Sequence, residues 1–454
     1  MNQPATQQRS TPTAPPEAST APAGKRSRTI GGTRAWVITV MLMVFMMINF
    51  ADKAVLGLAA TSIREEFGIT AAQYGTISSA FFLLFSISAL VVGHLADRFS
   101  TKKVLLVLAL IWSLAMLPVI GPAGFMVILM SRVVLGAAEG PAFGVAQHAV
   151  HKWFDDAGRS IPTALLSLAT SIGVIIGAPV LSWIIGAHGW RSAFVVVAVI
   201  GAVWCVAWLF IGREGPVDLH NEETVDASVR PIDQVRVPLR KIFGSRTWLG
   251  AALSAFAAYW SLALLIAWVP AYLTDDLGFS KATAGTLTAL PWLVGMIALL
   301  AQGFASQRMM RNGVSSRKAR GILPGAMILA SGVCILMFVF AHGNAMTLLF
   351  MALGLGLSGV ALAAGTTACS EIAPVGQRGI VLGAFVALYS LAGVLAPSIA
   401  GVLIDRAGTD PSSGYTATFA LTGVIVIIGG LLALTLIRPE RDVAKLIAAG
   451  EPTN

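Results

Sequence analysis

Asp52 and Lys53 stand side by side in a stretch that is otherwise apolar, reading Met46-Met47-Ile48-Asn49-Phe50-Ala51-Asp52-Lys53-Ala54-Val55-Leu56-Gly57. Arg132 and Glu139 stand seven residues apart in a second such stretch. A charge held at bilayer depth costs about 2.5–3.5 kcal/mol on insertion scales. Chains keep such charges where they face a bundle interior or a watery cavity and serve a ligand or ion pathway. A buried carboxylate can take up and release a proton, depending on its burial and on nearby bases. A buried ammonium or guanidinium can attract an acid. Asn49 at i−3 and Leu56 at i+4 share the helix face of Asp52, whereas Lys53 projects about 100° away. The pair therefore cannot bridge locally, and each member needs a partner from another helix. Arg132 and Glu139, about two turns apart, face nearly the same way.

The elements that must position these groups are membrane helices. The chain of 454 residues is 56% hydrophobic and only 12% charged, against about 25% charged in a soluble domain. Its mean hydropathy is +0.78. A span needs about 20 mostly apolar residues. Twelve candidate spans follow, near 35–60, 75–96, 103–121, 124–151, 160–187, 192–212, 247–273, 282–305, 321–341, 345–371, 379–404 and 415–437. With both termini placed in the cytoplasm, 25 of the 31 Lys and Arg residues fall in cytoplasmic segments. The positive-inside rule favours that orientation. The net charge of +9 is thus a topology signal and not a nucleic-acid footprint.

Residues 1–34 are rich in Pro, Ser, Thr, Ala and Gln, a composition expected to be disordered. They do not read as a secretory signal, because a full span follows the basic run. Residues 213–246 form a polar linker with six acidic and six basic residues. It divides the chain into bundles at 35–212 and 247–437, with a cytoplasmic tail at 438–454. The halves echo each other: Gly173 to Pro179 in the fifth span recurs as Gly393 to Pro397 in the eleventh. Such repeats are expected of secondary transporters, with a site near midplane between the halves.

Gly93-x-x-x-Asp97-Arg98-x-x-x-Lys102-Lys103 resembles the signature loop between the second and third helices of the major facilitator superfamily. Ser100 stands where that loop commonly has Gly, and Gln307 replaces the Asp in the second-half copy. The resemblance implies an all-α fold of twelve helices in two pseudosymmetric six-helix bundles. It also implies that Gly93, Asp97, Arg98, Lys102 and Lys103 act as a conformational latch. Three further stretches resemble the anion:cation symporters within that superfamily. They are Asn49-Phe50-Ala51-Asp52-Lys53, Arg132-x-x-x-Gly136-x-x-Glu139-x-Pro141, and Trp268-Val269-Pro270-Ala271-Tyr272-Leu273. The resemblance implies carriage of organic anions such as sugar acids, dicarboxylates and aromatic acids, usually on a proton or sodium gradient. It places the first and fourth helices together, so that Asp52, Lys53, Arg132 and Glu139 would line one cavity. Lys53 stands where the family has Arg, which loses a planar fork suited to carboxylates. Phe85 stands where sugar-acid members have Tyr, which points to a less polar carboxylate.

The expected reading is a transporter that imports an organic anion with a proton. Asp52 and Glu139 are the candidate proton sites. Lys53, Arg132, Asn49, Tyr259, Trp260 and Ser390 are the candidate substrate contacts. For Tyr259 and Trp260, plain packing is as good a reading, and Tyr272 suits an interface anchor. Trp260, Trp268 and Tyr272, at spacings of eight and four, share a related helix face. His94, His148 and His151 read better as solvated or packing residues than as a relay. The three cysteines are scattered in apolar segments and suggest neither a disulfide framework nor a metal site. Gly354 to Gly365 lies in a spanning run without a P-loop Lys-Ser/Thr and fits close helix packing. No cofactor is implied beyond the coupling ion H+, and the partners are a small anion and the bilayer, with the chain as a monomer in a bacterial-type inner membrane. Export or exchange, a membrane sensor and a membrane enzyme are the rival readings.

Overall fold

The computed structural model describes residues 32–122, 124–154, 159–216 and 231–452; the side chains of 86, 90, 93–98, 160, 451 and 452 lie outside that description. Twelve helical spans cross the long axis. The first bundle holds α1 (Thr33–Leu58, continued as Ala60–Phe67), α2 (Ala71–Arg98), α3 (Thr101–Ile120), α4 (Phe125–His151, broken at Gly140-Pro141), α5 (Ser160–His188) and α6 (Trp190–Ile211). The second holds α7 (Arg246–Ala267, continued as Val269–Asp275), α8 (Lys281–Arg311), α9 (Arg317–Phe340), α10 (Asn344–Ile372, broken at Ser358-Gly359), α11 (Arg378–Arg406) and α12 (Pro411–Leu436). A short amphipathic helix, α13 (Pro439–Ile447), follows. Among the described residues, eleven helices are long and apolar enough to cross a membrane; α2, with 28 residues, is the remaining span.

The sequence sets the helix ends. Thr70 and Gln73 form a reciprocal capping box at the start of α2, with Gln73 N donating to Thr70 Oγ1 at 3.2 Å and Thr70 N to Gln73 Oε1 at 2.9 Å. Ser245 caps α7 and Ser280 caps α8. Pro270 cannot donate to a carbonyl one turn back, and α7 breaks just before it. Across that break Trp268 and Tyr272 still share a neighbour, Tyr415, whereas Trp260 packs on Phe256. Tyr272 is buried among Phe338, Tyr415 and Phe419 rather than placed at an interface. Helices α2 and α8 run further than the apolar pattern alone suggests, to Arg98 and Arg311. At 1.5 Å per residue they reach about 42 and 46 Å, beyond the roughly 30 Å hydrocarbon core.

The bundles meet chiefly where α2 packs on α11 and α5 on α8. Both described termini and the linker lie at one end, termed the near end. The opposite, far end is sealed by hydrogen bonds between bundles. The Asp405 carboxylate accepts the backbone N–H groups of Ala71 and Ala72, both at 2.8 Å, and so caps α2 from the end of α11. Arg64 pairs with Asp275 at 3.4 Å, and Thr61 donates to the same carboxylate at 2.7 Å. Tyr74 Oη donates to Leu56 O and Ala267 O, and Ser398 Oγ lies 2.8 Å from Ser79 Oγ. Thr61 with Thr274, Lys281 with Ser62, and Ser398 N with Ser79 Oγ add further links between the bundles in this far half.

Candidate functional site

The ion cluster sits at mid-depth where α1 meets α4. Helix α4 approaches α2 closely because Gly136 has no side chain: a Cβ there would stand 1.7 Å from Phe81 O. This packing turns Glu139 toward α1. Lys53 Nζ lies 2.7 Å from Glu139 Oε2 and donates to Asn49 Oδ1 on its own helix. The contact with Glu139 is an ion pair outside hydrogen-bond alignment, so neither Glu139 oxygen has a hydrogen-bond donor. Lys53 also stands over the Phe50 ring, 4.4 Å from its centroid.

Asp52 is fully buried, and neither of its oxygens has a hydrogen-bond donor. Its carboxyl lies near Glu139, with the charges of Arg132 and Lys53 also acting on it. Two carboxylates so placed repel each other, and can bond only when one carries a proton. Arg132 is 1% exposed; Nη2 reaches Met116 Sδ at 3.4 Å and the guanidinium lies 5.3 Å from the Phe194 centroid. Lys53 and Arg132 both line a cavity of about 30 Å³ together with Leu56, Gly57, Ser78, Phe81, Phe82, Ala263, Ile266 and Ala267. The structure thus brings Asn49, Asp52, Lys53, Arg132 and Glu139 together. Three donors around them are buried without acceptors: Asn49 Nδ2, Ser78 Oγ and Arg132 Nε. Buried donors without acceptors are costly, and a ligand with acceptor oxygens, a carboxylate among them, would satisfy them.

The other expected contacts divide. Tyr259 faces the first bundle, 5.7 Å from the Phe82 ring, and packs at a tilt against Tyr389 at 5.0 Å. Trp260, one position on, packs on Phe256 instead, and its buried Nε1 finds no acceptor. Ser390 is buried and donates to Val386 O of its own helix at 2.7 Å. Of the latch residues, Gly93, Asp97 and Arg98 lie on the last turns of α2, and their side-chain surroundings, like those of His94, lie outside the description. Lys102 donates to Leu209 O at 2.9 Å, and Lys103 is exposed.

Sequence reasoning missed Glu214, counted only as one acid of the linker. Its carboxylate pairs with Lys152 at 2.7 Å and accepts from Ser100 Oγ, Thr101 Oγ1 and the backbone of Thr101 and Lys102. Partial burial pushes this acid up, but the hydrogen bonds from Lys152, Ser100, Lys102 and Thr101 outweigh it and hold Glu214 at about 2. Ser100, the departure from the signature loop, is one of its donors. Phe81, Phe82 and Ser78 were also missed, since rings and hydroxyls in an apolar run carry no signal of their own.

The Major Facilitator Superfamily pattern matches residues 41–353 and again 251–453, so the two matches together take in nearly all of the chain beyond its N-terminal tail. The chain belongs to the major facilitator superfamily. It is therefore a multi-pass membrane transporter and not an enzyme. The chain is 27% identical to a hexuronate transporter of Bacillus subtilis over 88% of its own length and 95% of that protein. It is 29% identical to a probable sulfoacetate transporter of Cupriavidus necator over 88% of its own length and 93% of that protein. Among solved structures, a bacterial homologue of the human lysosomal transporter Spinster, inward-facing and occupied, superposes with a TM-score of 0.74 at 17% identity, covering 91% of this chain and 98% of that one. A D-xylose-proton symporter superposes with a TM-score of 0.72 at 15% identity, covering 90% and 99%. These likenesses carry the fold.

Proposed function

We propose that the protein imports an organic anion together with a proton, by alternating access of the ion cluster to the two membrane faces. The observation that carries this reading is the Lys53–Glu139 contact: a buried ion pair, poorly aligned, beside a second carboxyl and a set of donors without acceptors. A substrate carboxylate entering the site competes with Glu139 for Lys53. Glu139, losing its cation beside Asp52, is then favoured to hold a proton, and the neutralised site can reorient. Release of the anion returns Lys53 to Glu139 and expels the proton. The relatives support the anion: their names specify a hexuronate and a sulfoacetate, and others a galactonate and a galactarate or glucarate.

The charge pattern supports the orientation. The near end holds most of the Lys and Arg residues, which supports a cytoplasmic near end; in this reading the chain works as a monomer in a bacterial-type inner membrane. Bundles 35–212 and 247–437 then rock about the site, joined by 213–246, and the loop from Gly93 to Lys103 latches the cytoplasmic face.

Uptake by full-length protein in proteoliposomes, with and without an imposed pH gradient, tests the coupling. Glu139→Gln is expected to keep anion counterflow and lose at least about tenfold of the pH-driven uptake. Unchanged pH-driven uptake in that variant would remove the proton role.

A further inference from the structure

The wall opposite Lys53 is built of rings. From the cation, the Phe81 and Phe85 centroids lie 5.7 and 5.9 Å away. Phe81 meets Phe82 at 4.9 Å and Phe85 at 5.7 Å. Phe82 crosses to Tyr259 on the second bundle at 5.7 Å, and the series continues through Tyr389 to Phe385 at 5.0 and 5.2 Å. Gly393 makes the crossing close, because a Cβ there would stand 2.5 Å from the Phe82 ring. Phe50, Phe85 and Tyr389 are only half-buried although they sit at mid-depth. Phe50, Phe81 and Phe85 therefore surround the one ammonium, and Phe82 carries the ring series across to the second bundle.

Beside the hydroxyls of Tyr259 and Tyr389, this wall offers a polyol few polar groups. Ser390 donates to Val386 O, Thr366 to Leu362 O and Thr367 to Ala363 O, so these hydroxyl protons are turned into their own helices. Among the described residues, Lys53 and Arg132 are the only buried cations. Both lie in the first bundle, on the far side of the ring wall. A second carboxylate at the other end of a substrate would thus face rings with no cation to meet it.

We propose that the site selects an aromatic monocarboxylate, with the carboxylate on Lys53 and the ring against Phe85 and Tyr389. This rests on the anion-transport reading above and narrows its substrate. Offset or edge-on ring contacts favour an aromatic body over a hydroxylated one, and a polyol laid against Phe81, Phe82 and Phe85 would lose water contacts that these ring faces do not replace.

Isothermal titration of the full-length protein in detergent at pH 7 with benzoate and with galacturonate tests the proposal. Benzoate is expected to bind at least about tenfold tighter. Phe85→Leu should weaken benzoate about threefold to tenfold and leave galacturonate within about twofold, whereas Phe85→Tyr should narrow the preference from the galacturonate side. Galacturonate binding as tightly as benzoate, or tighter, overturns the aromatic assignment while the anion reading stands. Binding of neither acid by protein that still melts cooperatively removes both. A Phe85→Leu variant that weakens both acids equally assigns Phe85 to packing and overturns its role in selection.

Discussion

At the near end, Glu214 follows α6 and accepts hydrogen bonds from the first residues of α3, while Glu440 follows α12 and accepts the backbone N–H of Ser316 at the start of α9. The same device serves both bundles, at positions six helices apart. At mid-depth the correspondence ends. The first bundle buries Asp52, Lys53, Arg132 and Glu139; the second presents Tyr259, Phe385 and Tyr389. The repeated feature closes a helix end, a need that every copy of the fold shares. The unrepeated one is the binding chemistry, which the proposed function asks of one bundle only, while the other supplies shape.

Removing the cation from the charged side attacks this asymmetry most directly. Lys53→Met should lower uptake of any carried carboxylate at least about 30-fold, because truncating a buried charge partner costs about 2–5 kcal/mol. Lys53→Arg should restore part of it, since charge is kept and the planar fork is added. Initial rates in proteoliposomes decide the matter. If Lys53→Met transports normally, the anion is not held by the first bundle and the division of labour falls.

A second test concerns a place where the second bundle lends charge to a helix end of the first. Asp405 caps α2 across the far seal. Asp405→Asn should weaken that cap by about 1 kcal/mol, which shifts the sealed population about fivefold. The readout is thiol labelling of Leu56→Cys, at the small cavity, from the far side in a background with Cys205, Cys334 and Cys369 replaced by Ala. Labelling should speed up by about that factor. An unchanged rate would mean that ring and hydroxyl contacts close the far end without Asp405.

The spans were legible because lipid leaves an apolar run of fixed length little choice but a helix. The charges of the site were legible for the complementary reason that each is costly in such a run. What pairs with what was not: the 100° between Asp52 and Lys53 separates them on one helix, yet both meet Glu139, because Gly136 brings α4 in against α2 and aims Glu139 between them. The ring wall was hidden in plain composition. Phe81, Phe82 and Phe85 look like any lipid-facing stretch until α11 supplies Gly393 and Tyr389 opposite them. Glu214 and Asp405 were hidden because an acid acting as a cap for a helix distant in sequence leaves no local spacing to read.

Those two near-end acids give the smallest and sharpest comparison. If Glu214 and Glu440 are the same device, Glu214→Gln and Glu440→Gln should each lower stability by about 1 kcal/mol, the usual loss of a helix cap, with little change in substrate affinity. For Glu214 the pH dependence has a defined sign. Its folded-state value, about 2, lies below the ordinary 4.5, so its contribution is complete above pH 4.5 and is lost as the pH falls toward 2. The gap in melting temperature between wild type and Glu214→Gln, measured in detergent, should therefore stay level from pH 8 to pH 5 and narrow in stronger acid. A gap that widened on acidification would show that Glu214 helps through shape alone, and a loss confined to one of the two variants would end the claim that both bundles close their helices in the same way.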